Sequence, residues 1–291
     1  MPRARSRRAL RLSSKLGYLA AAALAVLGAP AFGVGMGSGV ATPPMVVLQP
    51  RPFPYRLAGE FTRDGRPASP PARTHPLDRP LVIMARQVTA AEYDQCVAEH
   101  ACPAIPEDGD AIDRPAVKVS WHDATAYAAW LSRRSGATYR LPTDEEWAFA
   151  AGSRYRDDGL PEDGADPARR WLAQYARDAE RDEALDAKLR PIGGFGVNEN
   201  GMLDLAGNVW EWTNTCFTRQ ALAPSGPGAP LVNCGVRVAE GRHRAYLVDF
   251  IRDPRAGGCS VGKPPSFVGF RLVREDGPWA WLRSLKARLG V

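Results

Sequence analysis

Apolar residues come in short groups in this chain, and their spacing changes character along its length. Ala124, Tyr127, Ala128 and Leu131 recur at i, i+3, i+4 and i+7, the repeat of one helix face. Just ahead of that run, Ser120 stands three residues before Asp123, a pairing that satisfies the orphan N–H groups of a helix N-terminus, and Gly136 supplies a natural stop. Thr89 with Glu92 and Thr143 with Glu146 repeat the start signal, so short helices are expected at all these points. Near Trp210 the pattern turns to alternation, which sends Trp210 and Trp212 to one face of a strand and Glu211 to the other. Elsewhere Gly and Pro break the chain every few residues, against long helices or a doubly wound sheet. The expected class is α+β and loop-rich, with short helices.

The segment Leu203 to Trp212, LDLAGNVWEW, is the most specific on the chain. Gly207 and Asn208 both tolerate the positive φ of a tight reversal. Asp204 and Glu211 bracket the turn, and a folded-back loop would bring their carboxylates together with the carbonyls of Gly207 and Val209, an all-oxygen shell of the kind calcium prefers.

LDLAGNVWEW closely resembles the GNVWEW signature of the formylglycine-generating enzyme, or sulfatase-modifying factor, family. Val88 to Tyr93 (VTAAEY), Pro115 to Trp130 (PAVKVSWHDATAYAAW), Arg140 to Trp147 (RLPTDEEW) and Gly269 to Arg274 (GFRLVR) resemble further family segments in the same order. The resemblance runs from about Arg56 to Glu275. It implies a twisted, irregular fold related to C-type lectins, with much loop and small twisted sheets. It also maps one family calcium site onto Asp204, Gly207, Val209 and Glu211. The family's other calcium site does not carry over, because its acidic position falls near Gly193.

Length and 45% hydrophobic content allow one sizeable core, or at most two small ones. The net charge of +6 is localised: Arg3, Arg5, Arg7, Arg8, Arg11 and Lys15 precede any acidic residue, and without them 32 basic residues face 32 acidic ones. A field for phosphate backbones is not implied, and no nucleic-acid partner is expected. The basic start, the apolar stretch Leu16 to Leu27 and Ala29-Pro30-Ala31 read as an export signal over 1–31, and Ser6-Arg7-Arg8-Ala9-Leu10 also suits a twin-arginine route. The alternative is an uncleaved N-terminal anchor. Residues 32–54 read as a Pro-rich linker, 55–275 as the domain, and 276–291 as a basic amphipathic tail able to touch a membrane or partner.

Five cysteines fit an oxidising compartment, periplasmic or secreted. Cys96 and Cys102 flank a helix end and Cys216 and Cys234 enclose a Gly/Pro-rich loop. Secreted members of the family often carry cysteines at both places, so Cys96 with Cys102 and Cys216 with Cys234 are the favoured pairs. Cys259 is left over as a buried thiol, a reactive one or an intermolecular partner.

Family enzymes oxidise a substrate cysteine with copper held by two cysteines after an RGGS motif. Here the matching stretch reads RVAEGRHRAY from Arg237 to Tyr246, with no cysteine between Cys234 and Cys259. Thiolates are what hold Cu(I), so a copper oxidase is not expected. The run Arg242, His243, Arg244, Tyr246, Asp249, Arg252, Asp253 and Arg255 suggests either an anion site or a surface strand with alternating charges. Arg242, His243, Tyr246 and Arg252 are the candidate site residues. The resemblance favours an exported accessory or maturation factor for a client protein or peptide, similar to accessory proteins of nitrite reductase clusters. The alternatives are an oxidoreductase nearer the pyoverdine-maturation or ergothioneine-synthesis branches, or a lectin-like ligand-binding module.

Overall fold

The computed structural model describes residues 43–105, 113–157, 188–223, 226–256, 258–259 and 267–275, with Leu172 and Ala176. The export segment, the first part of the 32–54 stretch, most of the 157–166 loop and of the 169–190 stretch, and the 276–291 tail lie outside these residues, as does the side chain of Cys259. The chain divides after Ser38, and all of the described residues belong to the unit Gly39–Val291.

In chain order the strands and helices are β1 (Met45–Leu48), β2 (Phe53–Tyr55), β3 (Glu60–Arg63), β4 (Arg66–Ala68), β5 (Arg73–His75), β6 (Leu81–Met84), α1 (Ala90–Ala98), α2 (Trp121–Ser135), β7 (Thr138–Arg140), α3 (Asp144–Ala151), β8 (Trp210–Ala223), β9 (Gly226–Pro227), β10 (Leu231–Glu240), β11 (Ala245–Val248), β12 (Gly258–Cys259), β13 (Val268–Gly269) and β14 (Val273–Glu275). One sheet has the order β1-β6-β14-β7. A larger one runs β12-β11-β10-β8-β3-β4, with β13 and β9 also on β8, and β2 pairs with β5. The class is α+β and loop-rich, as the pattern predicts.

The helices α1, α2 and α3 begin at the expected hydroxyls. Thr89, Ser120 and Thr143 each accept the N–H of the residue three ahead, and Glu92, Asp123 and Glu146 reach back to the cap N–H. Gly136 closes α2 in the left-handed region at φ 74°. The predicted face is the buried one: Ala124, Tyr127, Ala128 and Leu131 all face the core.

The linker expectation fails over its second half. Met45–Leu48 pairs antiparallel with β6, and Phe53–Tyr55 pairs with β5, burying Leu48, Phe53 and Tyr55. Pro43, Pro44, Pro50 and Pro52 fall outside these strands, and Pro54 lies in β2, whose one partner among the described residues is β5 and where a missing N–H costs little, so the prolines punctuate the domain's first strands instead of forming a tether.

Two apolar clusters form the core. The first packs α1 and α2 against Trp210, Trp212 and Phe270; the second gathers Phe53, Tyr55, Trp147, Phe149 and Met202. Alternation along β6 serves both, since Leu81 and Ile83 join the second and Met84 the first. β8 does the same with a charged residue. Trp210 and Trp212 enter the first cluster, while Glu211 points the other way to meet Trp147 of the second.

Candidate functional site

Glu211 is fully buried and makes a two-point ion pair with Arg271: Nε donates to Oε2 at 2.6 Å and Nη2 to Oε1 at 2.7 Å. Gln87 Nε2 and Trp147 Nε1 complete the carboxylate at 2.7 and 2.9 Å. Arg271 also donates to the Leu203 carbonyl at 2.9 Å, so the last strand region and the LDLAGNVWEW loop are joined through one guanidinium. The GFR and VWEW segments are therefore charge complements, a pairing that no local sequence pattern reveals.

Asp204 works elsewhere. Its carboxylate accepts the N–H groups of Gly193 at 2.6 Å and Phe195 at 2.8 Å, binding the Gly-rich loop before it. The Gly207 carbonyl accepts the N–H of Val209 at 2.7 Å within the turn. The left-handed positions are Asp204, Ala206 and Asn208, with φ between 56° and 61°, and not Gly207. Gly207 is needed for space, because a β-carbon there would run into the Phe195 ring. Asp204 and Glu211 thus spend their carboxylates on different partners, and a calcium ion at Glu211 would compete with the buried Arg271 guanidinium for the same two oxygens. Among the described residues, no three His, Cys, Asp or Glu side chains gather closely enough to hold a metal.

The polar run after Arg237 divides: Asp253 and Arg255 are exposed and pair with each other at 2.9 Å, while its first part turns inward. His243 and Arg244 are buried. Arg244 lies between Asp144 (Nη2 to Oδ2, 2.8 Å) and Glu240 (Nε to Oε1, 2.9 Å) and also donates to the Arg56 carbonyl and the Tyr155 hydroxyl. The Tyr55 hydroxyl donates to Asp144 Oδ2 at 2.6 Å. Burial alone would push the Asp144 carboxyl up; the Arg244 guanidinium and hydrogen bonds from Glu240, Tyr55 and Arg244 outweigh it and hold it below the usual range. Burial raises the Tyr55 and Tyr155 hydroxyls far above a phenol's ordinary value, which keeps both neutral, Tyr55 donating to Asp144 and Tyr155 accepting from Arg244.

The remaining candidates are ties between segments. The Tyr246 hydroxyl accepts the Gly59 N–H at 2.8 Å, its ring meets Phe217 edge-on, and burial raises its pKa to about 12. Arg252 pairs with Asp123 at 2.8 Å, gripping the carboxylate that caps α2, and donates to the Ala104 carbonyl. Arg242 is half-buried. His243 lies edge-on to Trp210, 5.2 Å between ring centres, with its own carbonyl accepting from Trp210 Nε1. Its Nε2 is buried with no hydrogen-bond partner. His122 is exposed and pairs with Asp249 at 3.1 Å, as a solvated residue at a helix start would. Four of the five cysteines are joined as Cys96–Cys102 and Cys216–Cys234, the favoured pairs.

The family model for the sulfatase-modifying factor enzyme 1-like domain matches residues 35–276. The inactive C-alpha-formylglycine-generating enzyme 2 of Mus musculus is 36% identical over 121 residues, covering 40% of this chain and 37% of that protein. The formylglycine-generating enzyme of Streptomyces coelicolor is 36% identical over 181 residues, covering 56% and 53%. The matches therefore span between about a third and a half of these curated relatives. Among solved structures, PvdO from Pseudomonas aeruginosa superposes with a TM-score of 0.52 over 80% of this chain and 95% of its own; its 24% identity speaks for the fold alone. Motif order, capped helices and the extent of the family match agree, and the chain belongs to the sulfatase-modifying factor enzyme 1-like domain family.

Proposed function

We propose that the chain is an exported accessory or maturation factor that acts on another protein of its compartment, with a nitrite reductase system as the candidate client, and is not a copper-dependent formylglycine oxidase. The observation that carries this reading is how the side chains at the replaced copper stretch are used. Arg244 is saturated by Asp144 and Glu240, Tyr246 by Gly59 and Arg252 by Asp123. A Cu(I) site needs two thiolates, and four of the five cysteines are oxidised to disulfides. The inactive relative in mouse speaks for the same direction, as a family member whose name denies it the activity.

A second reading, an oxidoreductase with other residues, draws on one feature. The buried, unpartnered Nε2 of His243 beside Trp210 is a polar atom without structural use.

The test is a host strain lacking the chain. A periplasmic nitrite reductase is expected to accumulate there in an inactive form and to be restored by the wild type and by His243→Ala alike. Protein exported natively is expected to form no aldehyde on a cysteine peptide. Full reductase activity in the deletion strain overturns the client assignment. Stoichiometric copper or iron in the exported protein, with loss of function in His243→Ala, overturns the accessory reading in favour of the enzyme.

A further inference from the structure

Arg237 is a buried cation without an anion. It is 8% exposed, and among the described residues no carboxylate forms an ion pair with it. Arg244 and Arg271, the other two arginines buried to this degree, each hold at least one carboxylate. The guanidinium of Arg237 instead stacks 4.0 Å over the Trp121 ring, and its Nε has no partner. Nη1 donates to the Asn214 carbonyl and, at 3.1 Å, to Sγ of Cys216. Burial pushes its pKa down, with Asp249, itself paired to His122, opposing from a distance. The pairing of β10 with β8 shifts register on both sides of Arg237, between Asn233 and Arg237 and again between Arg237 and Ala239. Such irregularities re-aim a side chain, and here the result is a guanidinium held against a disulfide sulfur.

We propose that Cys216–Cys234 is a thiol–disulfide exchange site for a polypeptide dithiol, with Arg237 placed to stabilise the thiolate that Cys216 becomes. A thiolate of the incoming dithiol attacks Cys234 Sγ, the Cys216–Cys234 bond breaks, and its electron pair goes to Cys216 Sγ beside the guanidinium. The second thiolate of the dithiol then attacks its partner sulfur in the mixed disulfide and releases Cys234. The dithiol leaves as a disulfide, having given up two electrons and two protons; one proton ends on Cys234 and one in solvent. A leaving thiolate is better the lower its pKa, and an adjacent cation lowers it. Both cysteines are half-buried, and Asn233 and Gly235 beside Cys234 are exposed. Leu231 and Val232, 67% and 54% exposed on the same strand, offer apolar surface to a polypeptide rather than to a small thiol. The second disulfide provides a control within the molecule, since Cys96 and Cys102 are buried in the first apolar cluster.

The full chain is equilibrated in graded dithiothreitol buffers, alkylated and mapped by mass. Cys216–Cys234 is expected to open at a less reducing poise than Cys96–Cys102, with circular dichroism unchanged. In a time course at one dithiothreitol concentration, Arg237→Met should slow opening about tenfold, and Arg237→Lys should retain most of the rate. If Arg237→Met does not fold, the wild type decides: alkylation of reduced Cys216 should inflect below the ordinary thiol value of about 8.5. Opening of both disulfides together on unfolding, an Arg237→Met that opens as fast as wild type, or an ordinary inflection each overturns the proposal. None of these results bears on whether a client reductase needs the chain, so this site and the accessory role fail separately.

Discussion

Glu211 shows how one side chain can tie two apolar clusters and the last strand region together. Its two oxygens take four donors from Arg271, Gln87 and Trp147, and the pair is entirely withdrawn from solvent. Two charges buried this way recover their desolvation only when the geometry is complete, and removing one partner leaves the other charge stranded. Arg271→Met is therefore expected to cost about 3 to 5 kcal/mol in urea unfolding. Arg271→Met with Glu211→Gln should recover part of that loss. Because the carboxylate is already neutralised by a guanidinium, a calcium chelator should leave the melting temperature of the wild type unchanged. A chelator-induced fall of several degrees would mean that calcium, not Arg271, balances Glu211 in solution. The alternation of Trp210, Glu211 and Trp212 gives the direction of this carboxylate from sequence. Its partner cannot be read that way, since Gly269-Phe270-Arg271 stands 60 positions along the chain and nothing local marks the contact.

At the scale of elements, three reciprocal caps carry much of the local order. Each helix is short, and α1 and α3 span 9 and 8 residues, lengths at which isolated helices are unstable in water. Thr143→Ala and Thr89→Ala are each expected to cost about 1 kcal/mol, read as a shift of the urea midpoint with an unchanged slope. Ser120→Ala should cost more, because Asp123 also receives Arg252 and a lost cap loosens that tie. An equal, negligible shift in all three would mean that packing alone sets these helix starts. Caps and helix faces are legible in the sequence because they act over three to seven residues. The N-terminal strands are not, because Pro-rich spacing around Met45–Leu48 and Phe53–Tyr55 looks like a linker until β6 and β5 are there to pair with. The candidate site escapes sequence for the same reason. Arg244 reads as free to hold a ligand because Asp144, 100 residues away, cannot be seen to claim it.

At the scale of the molecule, that claim joins distant parts of the chain through one buried charge network. Tyr55 on β2, the Arg56 carbonyl, Asp144 at the start of α3, Tyr155 and Glu240 at the end of β10 all meet Arg244. Asp144 and Glu240 both place carboxylate oxygens on the Arg244 guanidinium, at 2.8 and 2.9 Å. Asp144, Glu92 and Glu146 are each held below the usual carboxylate range. Burial opposes this in every case, and an arginine with its hydrogen bonds overcomes it. A carboxylate depressed by folding adds stability above its unfolded pKa, about 4, and surrenders it as pH falls through the folded value. Glu145 works in the opposite sense, since burial raises it against the pull of His75, but it is partly exposed and weighs less. The chain is therefore expected to be most stable from about pH 5 upward and to lose stability steeply below about pH 4. Asp144→Asn, which removes the titrating group and leaves Arg244 with Glu240 as its remaining carboxylate, should be less stable at pH 7 and fall less between pH 5 and pH 3. Urea midpoints across that range for both proteins settle the point: parallel curves would show that the network adds nothing to acid sensitivity. A flat wild-type curve would show that none of these carboxylates is held by its arginine.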